Sequence, residues 1–191
     1  MDVGRFKMTL DEAQKRIREA PINKLDENNR ILMRELKWIE AALECDDYPS
    51  RQFRGSIDTI LQIQRAGQHF YYGATEGRVA FLAGKQADPL VVRWHDGANG
   101  KNYINEHVID LKAVFMFMRS QPAKVSYSDI YNYIARHIFF VAAATSEKLR
   151  GRKMPKWDGN DLFVRFRNPP ITHLYLFPGY LKKVGADWTV E

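Results

Sequence analysis

The side chains best equipped for chemistry in this sequence are cationic. Lys148, Arg150, Arg152, Lys153 and Lys156 crowd one short stretch, Arg165 and Arg167 follow at alternate positions, and Lys182 and Lys183 are adjacent. A guanidinium forks onto two acceptors at once, which suits phosphate oxygens and the O6/N7 edge of guanine. Ser146 precedes Arg150 by one helical turn, so both would lie on one helix face. On this reading Ser146 and Arg150 meet base edges. Lys148, Arg152, Lys153 and Lys156 neutralise phosphates, Arg165 and Arg167 hold the backbone or minor groove, and Lys182 and Lys183 add phosphate contacts. Glu147 works against such a surface. A second constellation is His95-Asp96-Gly97 with Asn99, Asn102, Asn105 and His107, whose imidazoles could hold a metal that activates water. Turn chemistry alone also explains Asp-Gly and Asn-Gly here. His69, His137 and His173 are scattered. Phe70-Tyr71-Tyr72 offers rings on which bases stack, or else a core corner. Phosphate-loop, dinucleotide and Gly-x-Ser-x-Gly signatures are absent.

These residues need elements to position them. Thr9-Leu10-Asp11-Glu12 is a capping box, and Leu10, Ala13, Ile17 and Ala20 continue at helical spacing until Pro21. A second helix is predicted from about Leu25 to Glu44, with Leu25, Leu32, Leu36, Ile39 and Leu43 forming a seam fit for a helical hairpin or a homodimer. A third runs from about Arg51 to Ala66 and ends at Gly67. Strands are predicted at Arg78–Leu82 and Leu90–Trp94, with a possible return at Lys101–Ile104. Asn105 is read as the cap of a helix reaching Ser120, and Ser126 as the cap of the next. A helix from Ile138 to Arg150 would then expose Ala143, Ser146, Glu147 and Arg150, either separate from its predecessor or continuous with it. Leu162–Arg167 and Thr172–Phe177 alternate as a hairpin, with Pro178-Gly179 bending the chain.

Composition narrows the classes. The chain of 191 residues is 45% hydrophobic and carries a net charge of +6. That apolar content is too high for disorder and ordinary for one medium domain. Residues 1–67 hold 12 basic and 12 acidic side chains, residues 68–118 hold 5 and 5, and residues 119–191 hold 12 and 6. The surplus therefore lies entirely in the last third, as a phosphate-binding surface would require. The longest apolar run, Ile138–Ala144, is far short of the roughly 20 residues that span a bilayer. One cysteine, Cys45, excludes an internal disulfide and a multi-cysteine zinc site, and a reducing cytoplasmic setting is expected.

From Leu90 to Tyr180 the order of pieces resembles the winged-helix output domain of two-component response regulators. The matching residues are Val91-Val92-Arg93-Trp94-His95-Asp96-Gly97, Asn105–Ser120, Pro122–Ile130 and the wing-like Phe177-Pro178-Gly179-Tyr180. The resemblance implies a recognition helix in the DNA major groove and a basic wing. The first 67 residues are too short and too helical for a receiver domain, so control by phosphorylation is not carried over. The His95–His107 segment superficially resembles the strand, loop and helix of HNH nucleases, without the doubled histidine or the zinc-stapling cysteines.

The expectation is thus an α+β protein. A helical region over 1–67 precedes a winged-helix-like domain over 68–191 with a small antiparallel sheet and a C-terminal hairpin. Its expected role is double-stranded DNA binding in transcriptional or architectural control, without enzyme activity, metal or cofactor. The alternatives are a protein-interaction or inhibitor module with a basic surface, and a metal-dependent nuclease.

Overall fold

The computed structural model describes residues 2–84, 103–121, 125–147, 149, 154–167, 171–184 and 187–190. The fold is α+β. The described residues form six strands, β1 (Lys7–Thr9), β2 (His69–Ala74), β3 (Tyr103–His107), β4 (Phe140–Ala144), β5 (His173–Val184) and β6 (Asp187–Val190). Six helices accompany them, α1 (Leu10–Glu19), α2 (Arg30–Leu43), α3 (Ser50–Arg65), α4 (Glu76–Gly84), α5 (Leu111–Arg119) and α6 (Tyr127–His137). The sheet order is β1-β5-β2-β4-β3, with β6 beside the end of β5. Among these strand pairs β2–β4 is the parallel one.

The N-terminal helices follow their sequence signals. Thr9 and Glu12 form the capping box of α1, and Arg136 of α6 donates to the Arg18 and Ala20 carbonyls at its other end. Asn29 caps α2 through the Leu32 amide, so the helix starts later than the apolar spacing alone suggests. Gly67, at φ +73°, leads out of α3 in the left-handed region that glycine tolerates best. The Ser126–Asp129 capping box opens α6.

The seam predicted for a second copy is occupied within the chain. Leu32, Leu36, Ile39 and Leu43 are buried, and Leu25 packs against the same core. Each buried aliphatic side chain contributes about 1.5–3 kcal/mol, which the chain's own fold collects. That core joins α1–α3 to α5, α6, β4 and β5, so it crosses the expected boundary at residue 67.

The rest of the chain departs from expectation in five places. Residues 140–144, read as part of a DNA-recognition helix, are the strand β4, paired on one side with β2 and on the other with β3. Val141–Ala144 are all buried, and a strand covered on both faces shows an unbroken apolar run without alternation. Arg78–Leu82, read as a strand, lies in α4, where Thr75 Oγ accepts from the Arg78 amide. Asn105 belongs to β3, and the cap of α5 is Asp110, whose carboxylate accepts from Lys112 N at 2.7 Å.

Finally, Leu162–Arg167 is no wing strand. Asp161 accepts from the Phe163 amide in an Asx turn, Gln14 accepts from the Leu162 amide, and Val164–Phe166 coil into a 3-10 turn. Pro178 and Gly179 lie inside β5, opposite Tyr71 and Phe70. There, among the described residues, β5 pairs with β2 alone, because its pairing with β1 ends at Tyr175 and its pairing with β6 begins at Leu181. A residue without an amide is tolerated where one strand edge is open. The strand predicted at Leu90–Trp94 and the turn His95–Gly100 lie outside the described residues. Among the described residues no helix is long and apolar enough to cross a membrane.

Candidate anion-binding cleft

Three chain segments meet at a cleft of about 540 Å³. The α2–α3 connection and the first turns of α3 supply Tyr48, Ser50, Arg51 and Arg54. The end of β3 and the start of α5 supply Glu106, His107, Asp110, Leu111 and Lys112, and the 3-10 turn supplies Arg165. An aromatic trio ties the two helices beneath it. Tyr48 lies 5.7 Å from Phe53 and 5.3 Å from Phe115, and the two phenylalanine rings are 5.3 Å apart, edge to face. These contacts fix where the helices present their first turns.

The cationic content is unusual for its position. Pro49 is the N-cap of α3 and makes no side-chain hydrogen bond to the helix end, and Arg51 and Arg54 sit in the first two turns. The N-terminus of a helix is its positive end, so cations there are unfavourable unless an anion joins them. Neither arginine forms an ion pair with a carboxylate among the described residues. The lining carries four cations (Arg51, Arg54, Lys112, Arg165) against two carboxylates (Glu106, Asp110), a local charge of +2.

Arg165 forms the floor. It is 7% exposed, donating to the His107 carbonyl at 2.6 Å and to Glu106 at 3.2 Å. Among the described residues neither its buried Nε nor the buried Nε2 of His107 has a hydrogen-bond partner. The His107 ring lies 4.1 Å from Phe140. Burial, then the positive charges of Arg54 and Arg165, push its pKa down to about 3. The imidazole is therefore neutral at physiological pH and accepts no proton there, which makes it a hydrogen-bonding group and a poor general base. Burial, and after it the Asp110 carboxylate, lifts the Tyr48 hydroxyl to about 12, so it stays a donor. The set offers forked guanidinium donors, an ammonium and a phenol, which together suit an oxyanion.

Among the described residues, the sequence-predicted cations stand in different settings. Arg165 faces inward to Glu106 instead of outward on a wing. Arg167 is held by Asp161 and by Asp11 of α1, each at 2.6 Å, which raises its pKa. Both arginines therefore pair with carboxylates, Arg167 with one in the N-terminal region. Lys156 is exposed beside α5, Ser146 is exposed in a 3-10 turn after β4, and Lys182 is exposed on β5, which also contains Lys183. Lys148, Arg150, Arg152 and Lys153 lie outside the described residues, as do His95, Asp96, Gly97, Asn99 and Asn102. Asn105 is in β3 and His107 ends it. Among the described residues no three His, Cys, Asp or Glu side chains are grouped to hold a metal.

Charge counting missed Arg51, Arg54 and Lys112 because each lies in a segment of zero net charge. The usable signal was positional. Two arginines three apart, in the first two turns of a helix whose N-cap is a proline, oppose the dipole they sit on. No protein-family model, curated protein or solved structure matches this chain.

Proposed function

We propose that this protein binds phosphate groups in the cleft formed by Arg51, Arg54, Lys112 and Arg165. One observation carries the proposal. Two arginines stand in the first two turns of α3, whose N-cap Pro49 makes no side-chain hydrogen bond to the helix end, and they share one cleft lining with Lys112 and Arg165. A bound oxyanion would meet these cations together and add charge-assisted hydrogen bonds at the helix start.

The net charge of +6 and the isoelectric point near 9.4 favour nucleic acid as the source of that phosphate. The mode differs from major-groove reading by a helix over 138–150, since residues 140–144 are a strand. The test is calorimetric titration with inorganic phosphate, pyrophosphate and a mixed-sequence oligonucleotide over a range of salt. Binding should weaken steeply with salt, and Arg51→Ala/Arg54→Ala should lower affinity at least ~10-fold for every phosphate ligand. Bound phosphate should also raise the His107 pKa, read from its ring proton shifts, because an anion replaces part of the cationic field around it. Absence of phosphate binding at low salt, or a double variant that matches wild type, overturns the proposal.

A further inference from the structure

The phosphate cleft does not end at α5. Asp110 and Lys112 line it and also line a second depression of about 460 Å³ on the other side of the same helix start. The walls of that depression change character, to Met116, Phe117, Met154 and Trp157, with Lys156 among them. Met116 is 47% exposed, one of two large apolar side chains so exposed among the described residues. The wall behind it is rigid. Phe117 stacks on Tyr133 at 5.6 Å and lies 5.2 Å from Trp157. Gly159, at φ +88°, approaches so closely that a Cβ there would lie 2.5 Å from the Phe117 ring. Trp157 Nε1 donates to the Asp161 carbonyl at 3.0 Å, which fixes the indole.

We infer that this groove takes an unpaired nucleobase, and that the ligand is single-stranded nucleic acid. The inference rests on the phosphate reading of the adjoining cleft. A ligand with its anionic group among Arg51, Arg54 and Arg165 can continue past Lys112, which lines both cavities, and its next group then meets thioethers and aromatic carbon. Sulfur and ring edges suit a flat π face, and every base presents one. The Lys156 ammonium supplies a cation for the following phosphate or for a base edge. A base in a duplex is paired and stacked on both sides, so it cannot enter a groove on a protein wall. An unstacked base in a single strand can.

The test is fluorescence anisotropy with a labelled strand of about a dozen nucleotides, the same sequence as a duplex, adenosine monophosphate and inorganic phosphate as competitors. The single strand should bind at least ~10-fold more tightly than the duplex or the mononucleotide. Met116→Glu, a change at an exposed position that leaves the core untouched, should weaken strand binding ~10-fold while phosphate affinity stays within ~2-fold. Lys156→Glu should act in the same direction. Equal affinity for duplex and strand, or a Met116→Glu variant that binds the strand like wild type, overturns the single-strand inference. A mononucleotide as tight as the strand overturns it too. If phosphate itself fails to bind, the cleft reading falls first, so the two failures are told apart.

Discussion

Arg165→Met measures what the buried guanidinium does for the fold. The side chains of Arg165 and Glu106 are 8% and 14% exposed, and the same Nη2 also reaches the His107 carbonyl at 2.6 Å. Removing one partner of a buried pair typically costs about 3–5 kcal/mol, because the other charge stays behind desolvated. Glu106 keeps further contacts, so the lower end applies, about 3 kcal/mol. For a chain of this length that lowers Tm by roughly 6–12 °C. Urea unfolding followed by circular dichroism should show the midpoint falling with m unchanged. Adding Glu106→Gln to Arg165→Met should recover about 1–2 kcal/mol of the sum of the single losses, since the two residues share one interaction. An arginine on an exposed wing strand would lose no more than about 0.5 kcal/mol. A loss that small, or strict additivity in the double variant, refutes the burial argument and removes the floor of the cleft.

Asp58 gives a pH signature. Burial raises its pKa from 3.8 to about 6, with Arg54 opposing the rise. Its ionised form is penalised in the folded state, so that penalty is absent below about pH 4, grows between 4 and 6, and is complete above 6. Asp58→Asn should therefore stabilise the protein at pH 8 by about 1–2 kcal/mol, the shift being discounted for partial exposure, and by almost nothing at pH 4 in the same urea titration. Gly77→Ala should cost about 1–3 kcal/mol in thermal unfolding. The new Cβ would stand 2.7–3.0 Å from the Glu147 carboxyl, which Thr75 Oγ and the Gly77 and Ala144 amides hold in place. Leu36→Ala should lose about 2–5 kcal/mol with a Tm independent of protein concentration, as a core position within one chain requires; a concentration-dependent Tm would restore the interchain seam.

Much of the first half of the chain was legible in the sequence, because its signals are local. Thr9 with Glu12, Pro21 and Gly67 act on amides and dihedrals within a few residues, and apolar spacing of three and four already defines the buried faces of α1, α2 and α3. The mixed α+β class and the capped α6 were legible for the same reason. Tertiary structure alone decided that Phe140–Ala144 would be a central strand. A fully apolar segment satisfies helix and strand equally well, and the choice is made by the two neighbours waiting to bond it. It also decided which cations stand free. Arg165 and Arg167 read as twin wing residues, yet Glu106, Asp11 and Asp161 lie beside them only after distant segments meet. Arg51, Arg54 and Lys112 looked balanced in a charge count, yet they share one wall in space. Charge along a chain sums over neighbours in sequence, whereas a ligand responds to neighbours in space, and only folding turns one set into the other.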